Sequence, residues 1–554
     1  MNRTKFKWNI WYTSAVVMLL FYLLFLIYPL GAIFQEAVYV RGEFSLAHFT
    51  RFFSHSYFLG ALSNSFQVSA VVTLYSVALG TFLAYLFTTF KFKGKKYLQI
   101  LLIIASMSAP FIGAYSWILL LGRNGAITNV LTNIFGFPPF NIYGFFGITF
   151  VMTLQLFPLI FLFVNGAFRN IDKSVLEASE NLGCVGIKKF FQVLLPLLTP
   201  TILAGALLVF MRTFSDFGTP MLIGEGFRTF PVLIFTQFVG EVMVNQGFAA
   251  ALSVIAVVIA LVVFLIQKIV AFKFAFSMSS LNPIQPKEVK GIGKVLIYVF
   301  VYSSVFIAIL PQVYVAYTSF RNTRGMVFHP GYSLGSYIEA FNRMGNAITN
   351  TISLSFYATV LIVIVSVFVS YLTVRRRNFL SSTIDTFSMI PFIVPGTVLG
   401  IALISAFNTG VFGSGWFRIT GTALIMVISL ALRSLPYTIR SSVAALQQMS
   451  VSVEEAAESL GSSRLNTFFK ITIPMMASGI ISGAILSWIT ILGELSTSIL
   501  LYNVRTRTMT VAIYVEVLRG NFGIAAALAT ILNVLTIVLL FAFMKVSKTK
   551  TVSI

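Results

Sequence analysis

The chain has 554 residues, of which 58% are hydrophobic and only 10% are charged, against about 25% charged in a typical soluble domain. So few charges cannot cover a soluble surface of this size, which excludes a soluble enzyme, a disordered chain and a secreted disulfide scaffold and leaves a polytopic membrane protein. The charged minority is basic, with 38 Lys and Arg against 16 Asp and Glu for a formal charge of +22. In a membrane protein that excess holds loops on the cytoplasmic side and does not call for nucleic acid. The single cysteine, Cys184, cannot close an intrachain disulfide, and alone it is a poor metal site.

A helix needs about 20 apolar residues to cross a bilayer. Six such stretches fall at about 9–34, 62–89, 98–121, 144–168, 194–213 and 248–272, and six more at 295–319, 348–373, 384–406, 420–442, 475–492 and 524–544. The first follows Arg3, Lys5 and Lys7 but is too long for a signal-peptide core and has no A-x-A site after it; it reads as a retained helix. Segments 135–147 and 405–418 read as short amphipathic or re-entrant pieces. The polar stretch 273–293, with Pro283 and Pro286, reads as a linker between a first half, 1–272, and a second, 294–554. With the N-terminus inside, 25 Lys and Arg fall on inner segments and 12 on outer ones, with Arg433 inside a helix. That bias predicts both termini in the cytoplasm. The expected fold is therefore all-α, with about 12 transmembrane helices in two pseudo-symmetric six-helix halves.

A repeat crosses the linker. Glu177, Ala178, Glu180, Leu182, Gly183, Phe190, Phe191 and Pro196 recur as Glu455, Ala456, Glu458, Leu460, Gly461, Phe468, Phe469 and Pro474, at a constant offset of 278. The match extends to Pro158 and Pro436, and to Gly205 and Gly483. A second match, at offset 286, links Asn64 to Asn350 and Tyr85 to Tyr371. Parallel repeats with an even number of helices predict halves related by an axis along the membrane normal, with a path between them.

Each repeated segment is a polar connection between two apolar stretches. Glu177 and Glu180 are spaced i,i+3 and share a helix face. Gly183 and Gly461 suit a helix C-terminus. A short amphipathic run with paired Phe follows, and Pro196 and Pro474 are placed to open the next helix, where a missing N–H costs little. The plain alternative is a helix–turn–helix lying on the membrane surface.

At these residues the chain resembles the permease subunits of binding-protein-dependent ABC importers. Their hallmark is the EAA loop, Glu-Ala-Ala, three residues, then Gly, with a hydrophobic-Pro ending. Segment 455–474 matches it fully, and 177–196 carries Ser179 in place of the second Ala. A fused chain of this length is similar to the ferric-iron and thiamine permease group, whose fold is the type I importer architecture.

The resemblance implies that Glu177, Ala178 and Gly183, with Glu455, Ala456 and Gly461, form the elements that dock on ATPase subunits. It implies two copies of an ABC ATPase at the cytoplasmic face, one substrate-binding protein at the outer face and a bacterial inner-membrane location. Lys188 and Lys189 become Asn466 and Thr467 in the second loop, so the two contacts are expected to differ. No G-x-x-x-x-G-K-[ST] loop is present; the chain is not expected to be an enzyme or to bind a cofactor, and ATP would be used by the partner subunit. The outer segments 214–247 and 493–523 are the candidate docking surface for the binding protein.

Charges within membrane helices mark candidates for the path. Asp216 falls on Glu494 at offset 278, so the two acids are expected near the central axis. Hard cations prefer carboxylate oxygens, which makes Asp216 and Glu494 a transient metal site at an entrance or gate. The alternative is a pair of helix caps or partners of Arg212 or Arg433. Arg433 stands where the first half has Gln155, and a salt bridge is its expected role. Met107, Met211 and Met389 read as packing, His48, His55 and His329 are too dispersed for a metal site, and Asn64 and Asn350 read as helix caps. Ferric iron is the first expectation for the cargo, with thiamine, a phosphonate or a polyamine as alternatives. A secondary transporter without an ATPase is the competing class.

Overall fold

The computed structural model describes residues 10–40, 42–139, 141–240, 245–273, 282 and 284–546. The N-terminal cluster of Arg3, Lys5 and Lys7, and Pro283 with residues 274–281 of the expected linker, lie outside the described residues.

The first half contains α1 (Ile10–Val38), α2 (Ser56–Thr89), α3 (Lys95–Met107), α4 (Pro110–Leu121), α5 (Phe145–Phe168), α6 (Lys173–Asn181), α7 (Phe190–Phe214), α8 (Phe230–Val239) and α9 (Gln246–Lys273). The second contains α10 (Ile292–Ser319), α11 (Gly335–Arg375), α12 (Phe379–Ile393), α13 (Gly396–Phe407), α14 (Ala423–Gln448), α15 (Val451–Ser459), α16 (Arg464–Leu492), α17 (Met509–Leu518) and α18 (Phe522–Val546). Two hairpins of paired strands, β1 (Tyr39–Val40) with β2 (Glu43–Phe44) and β3 (Arg321–Arg324) with β4 (Val327–Tyr332), follow α1 and α10. Among the described residues eleven helices are long and apolar enough to cross a membrane, and twelve if α3 and its bent continuation count as one span.

The third span of each half departs from the sequence reading of one straight helix. It breaks between α3 and α4, with a bend of 101°, and again between α12 and α13. The cause is the same in both. Ala109 precedes Pro110 and Val394 precedes Pro395, and both residues are extended, with ψ of 131° and 125°. Proline excludes the helical region from the residue before it.

The packing runs parallel in the two halves. Helix α2 lies along α5, and α11 along α14. The first helix of each half, however, packs on the other half: α1 lies against α11, α12 and α13, and α10 against α3 and α4. Tyr28 of α1 donates to the Ala406 carbonyl at 3.3 Å and accepts from the Phe412 N–H at 2.7 Å. Tyr302 of α10 donates to the Lys93 carbonyl at 2.7 Å. The apolar cores therefore cross between the halves, and one of them joins Trp11, Tyr22 and Leu26 to Tyr371, Leu399 and Phe468.

Candidate functional site

The two repeated loops fold alike. Helices α6 and α15 begin at side-chain caps, Asp172 and Ser450. Each ends in a Schellman motif: Cys184 N–H bonds to the Ser179 carbonyl at 2.9 Å, and Ser462 N–H to the Ala457 carbonyl at 3.0 Å. Gly183 and Gly461 occupy the left-handed position, at φ of 79° and 89°, where a side chain is strained. Leu176 and Ser179 face inward in the first loop, and Glu454 and Ala457 in the second. Glu177, Ala178, Glu455 and Ala456 face outward. Beside the glycines, Leu182 and Leu460 are 88% and 90% exposed, two large apolar side chains turned away from the protein at equivalent positions.

Pro196 and Pro474 do not open the following helices. A π turn precedes each, Phe190–Leu194 and Phe468–Thr472, and the helical run passes through it. The Leu195 and Ile473 N–H groups bond five residues back, to Phe190 and Phe468, so the proline that lacks an N–H follows a shifted ladder. One Phe of each pair anchors the loop to the long second helix: Phe190 meets Tyr85 at 5.0 Å and Phe468 meets Tyr371 at 4.7 Å, both edge to face.

The tethers differ. The second loop holds a buried ion pair, Glu454 with Arg375 at 3.3 Å, their side chains 10% and 9% exposed. Arg375 also donates to the Leu446 and Met449 carbonyls, and Thr472 donates to Glu454 at 3.0 Å. The first loop has apolar Leu176 at that place and is tied to the inter-half segment instead. Asp172 accepts from the Asn282 N–H at 3.1 Å, Lys173 N–H bonds to the Asn282 carbonyl at 2.9 Å, and Lys287 bridges Thr89 and Lys91 through its backbone. Lys189 folds back onto Glu180, and this contact holds the Glu180 carboxyl below its ordinary pKa. Glu177 pairs with Lys173 at 2.6 Å and raises the lysine's pKa.

Asp216 and Glu494 each accept a bond from the backbone N–H three residues on, Thr219 at 3.1 Å and Thr497 at 3.0 Å. They differ in charge partner. Glu494 is 3.4 Å from Arg433, whereas among the described residues Asp216 has no cation at ion-pair distance. Arg433 also donates to the Val394 carbonyl at the α12–α13 break, at 3.0 Å. Gly396 follows that break, and a Cβ there would lie 3.2 Å from the Glu494 carboxylate and 2.6 Å from Ser496; only glycine lets the segments close. Gly218 lies against Leu495, and Gly493 against Ala109, so the segments carrying the two acids meet between the halves. Arg433 is ten residues into α14, about 15 Å along a helix rising 1.5 Å per residue. Arg433 thus lies inside the candidate membrane span Ala423–Gln448, while Glu494 follows the end of α16 at Leu492. Among the described residues no cluster of three or more His, Cys, Asp and Glu could hold a metal ion.

Asn64 and Asn350 are not caps, because α2 and α11 begin well before them, at Ser56 and Gly335. Asn64 donates to the Arg228 carbonyl at 3.0 Å and Asn350 to the Arg507 carbonyl at 3.1 Å. Their neighbours complete the staple: Phe230 N–H donates to Ser65 and Met509 N–H to Thr351, each at 2.7 Å. The second helix of each half thereby holds the start of α8 or α17. The recurrence of Asn64 and Asn350 was the available signal; the hydroxyl beside each was not recognised.

The sequence profile described as binding-protein-dependent transport system inner membrane component matches residues 76–275 and 362–548. The chain belongs to this family. The permease carries the family's unit twice, in a type I fold fused into one multi-pass inner-membrane chain, and is a transmembrane subunit of an ABC importer. It is 28% identical over 543 residues to the ferric transport system permease protein FbpB of Actinobacillus pleuropneumoniae, covering 96% of this chain and 77% of that one. It is 28% identical over 508 residues to a putative ferric transport system permease protein FbpB 1 of Haemophilus influenzae, with coverage of 89% and 78%. A putative 2-aminoethylphosphonate transport system permease protein PhnU of Salmonella typhimurium is 26% identical over 249 residues, 44% of this chain and 86% of that one.

Proposed function

We propose that this permease forms the membrane path of a ferric-iron importer. Both termini lie in the cytoplasm. Two copies of a separate ATPase dock there, one on each EAA loop, and hydrolyse the ATP; the permease itself holds no cofactor. The contact elements are Glu177, Ala178 and Gly183 and their counterparts Glu455, Ala456 and Gly461, with Leu182 and Leu460 as the apolar side chains that enter the partner. One substrate-binding protein docks on the outer segments 214–247 and 493–523.

The observation that supports iron is that the segments carrying two carboxylates, one from each half, meet between the halves. Hard cations take oxygen ligands. Asp216 supplies the uncompensated charge, and Glu494, held by Arg433, supplies a carboxylate that a trivalent ion can draw away from its partner. Two ligands suit a transit point, since conduction requires that the ion leave again. The test is iron-55 uptake into vesicles holding the permease, its ATPases and loaded binding protein. Asp216→Asn keeps the side-chain volume and should cut uptake about tenfold or more while ATPase binding stays intact. Uptake at the wild-type rate would refute the role of Asp216.

A further inference from the structure

Helix α14 carries a basic stripe that the carboxylates do not explain. Arg433, Tyr437 and Arg440 follow one another on α14 at i, i+4 and i+7 and share a face. Arg433 is occupied by Glu494 and the Val394 carbonyl. Arg440 lies 3.5 Å from Asp385 of α12 through Nη1, and its Nε faces the Met389 sulfur at 3.2 Å. From the first half, Arg212 of α7 donates through Nη2 to the Tyr437 hydroxyl at 3.2 Å. Arg212 is exposed, and among the described residues no carboxylate stands at ion-pair distance from it.

The pairing joins two candidate membrane spans: Tyr437 is one helical turn beyond Arg433 in Ala423–Gln448, and Arg212 lies in the last turn of Phe190–Phe214. A guanidinium facing lipid is costly, so exposed Arg212 suits a surface that faces water between the halves. The repeat does not reproduce the arrangement. At offset 278 Arg212 becomes Thr490, while the stripe becomes Gln155, Leu159 and Leu162, the two leucines being buried.

We propose that Arg212, Tyr437 and Arg440 form an oxyanion site on the transport path, which deepens the proposed function and rests on its placing of the path between the halves. A guanidinium offers five N–H donors in a fork that matches phosphate and carboxylate oxygens. Arg212 commits one nitrogen to Tyr437, whose hydroxyl keeps its own proton to donate. Arg440 leaves its Nη2 free among the described residues. Asp216 follows Arg212 by four residues, just past the end of α7 at Phe214, so a negative and a positive position lie close along the first half's chain. That order suits a cargo bearing both signs: an aminophosphonate, or a metal cation travelling with an oxyanion.

The first experiment is equilibrium dialysis of the purified full-length permease against phosphorus-32 orthophosphate, with chloride as the other anion. The wild type should bind it, Arg212→Gln should weaken binding about tenfold, and Arg212→Lys should retain part of it, because it keeps the charge but loses the fork. Absence of phosphate binding by the wild type, or undiminished binding by Arg212→Gln, overturns the site. Uptake by the reconstituted importer then separates the sources. Iron-55 uptake that requires phosphate and falls in Arg212→Gln supports an anion carried with the metal. Uptake of carbon-14 2-aminoethylphosphonate that falls in the same variant supports an anion belonging to the cargo. Iron uptake unaffected by phosphate and by Arg212→Gln overturns the site and leaves the iron reading standing. Phosphate binding lost in Arg212→Gln, with no iron uptake by the wild type, supports the site and overturns the iron reading.

Discussion

The two EAA loops share a backbone and differ in what holds it. The second is anchored from within by a buried ion pair, Glu454 with Arg375. The first is anchored from outside, by an inter-half segment hydrogen-bonded to Asp172, Lys173 and Thr89. The turn geometry is common to both because the same glycine closes each helix. A buried pair holds its partners only while both are present, since removing one leaves a charge without compensation. A backbone clasp tolerates change in side chains and fails through its cap or its connection.

The sharpest test of this contrast is Glu454→Ala, which strands Arg375 and should cost about 3–5 kcal/mol. Faster hydrogen exchange over 451–459, with exchange over 173–181 unchanged, is the expected result. Restoring an apolar contact like that of Leu176, with Glu454→Leu and Arg375→Met, should recover most of the loss, as buried pairs replaced by packed apolar residues often do. Next in size is Gly183→Arg or Gly461→Arg. Nothing lies within 4 Å of a Cβ at either glycine, so the penalty is conformational, about 1–2 kcal/mol. Each variant should insert normally, and ATPase stimulation should fall in both; equal loss would show that the loops contribute alike despite their tethers.

Asp172→Ala should loosen the first loop alone, by about 1 kcal/mol for the lost cap, read as hydrogen exchange at Ser174 and Asn282. The smallest effect concerns acid. Lys189 lowers the Glu180 pKa, so the stabilisation is complete above the ordinary carboxylate pKa of about 4.3 and fades as pH falls through the lowered value. Exchange in the first loop should accelerate over that window, and Glu180→Gln should abolish the acceleration. The Glu180 carboxylate is largely solvated, so the change should be slight.

Much of this was legible in the sequence because a repeat at constant offset aligns residues without a fold. Gly183 with Gly461 and Asp216 with Glu494 were found that way. The breaks at Ala109 and Val394 were written in the prolines after them but hidden by continuous hydropathy. Asn64 and Asn350 were misread because an apolar window begins where lipid begins, whereas α2 and α11 start in polar turns beyond it. Arg212 beside Tyr437 was beyond reach. Their contact spans 225 residues and two halves, and repeat symmetry cannot reveal an arrangement that occurs once.

The exchange of first helices also sets a timetable for biogenesis. Tyr28 finds its partner Ala406 only 378 residues later in the chain. At about 5–20 residues per second, α1 waits roughly 20–75 seconds after its own synthesis before that partner emerges. For that interval the face bearing Trp11, Tyr22 and Leu26 lies against lipid or the insertion machinery. Completion of the second half, rather than insertion of the first, is therefore the moment at which the permease becomes a closed structure, and a chain stalled between the halves presents an unfinished helix to the quality-control proteases of its membrane.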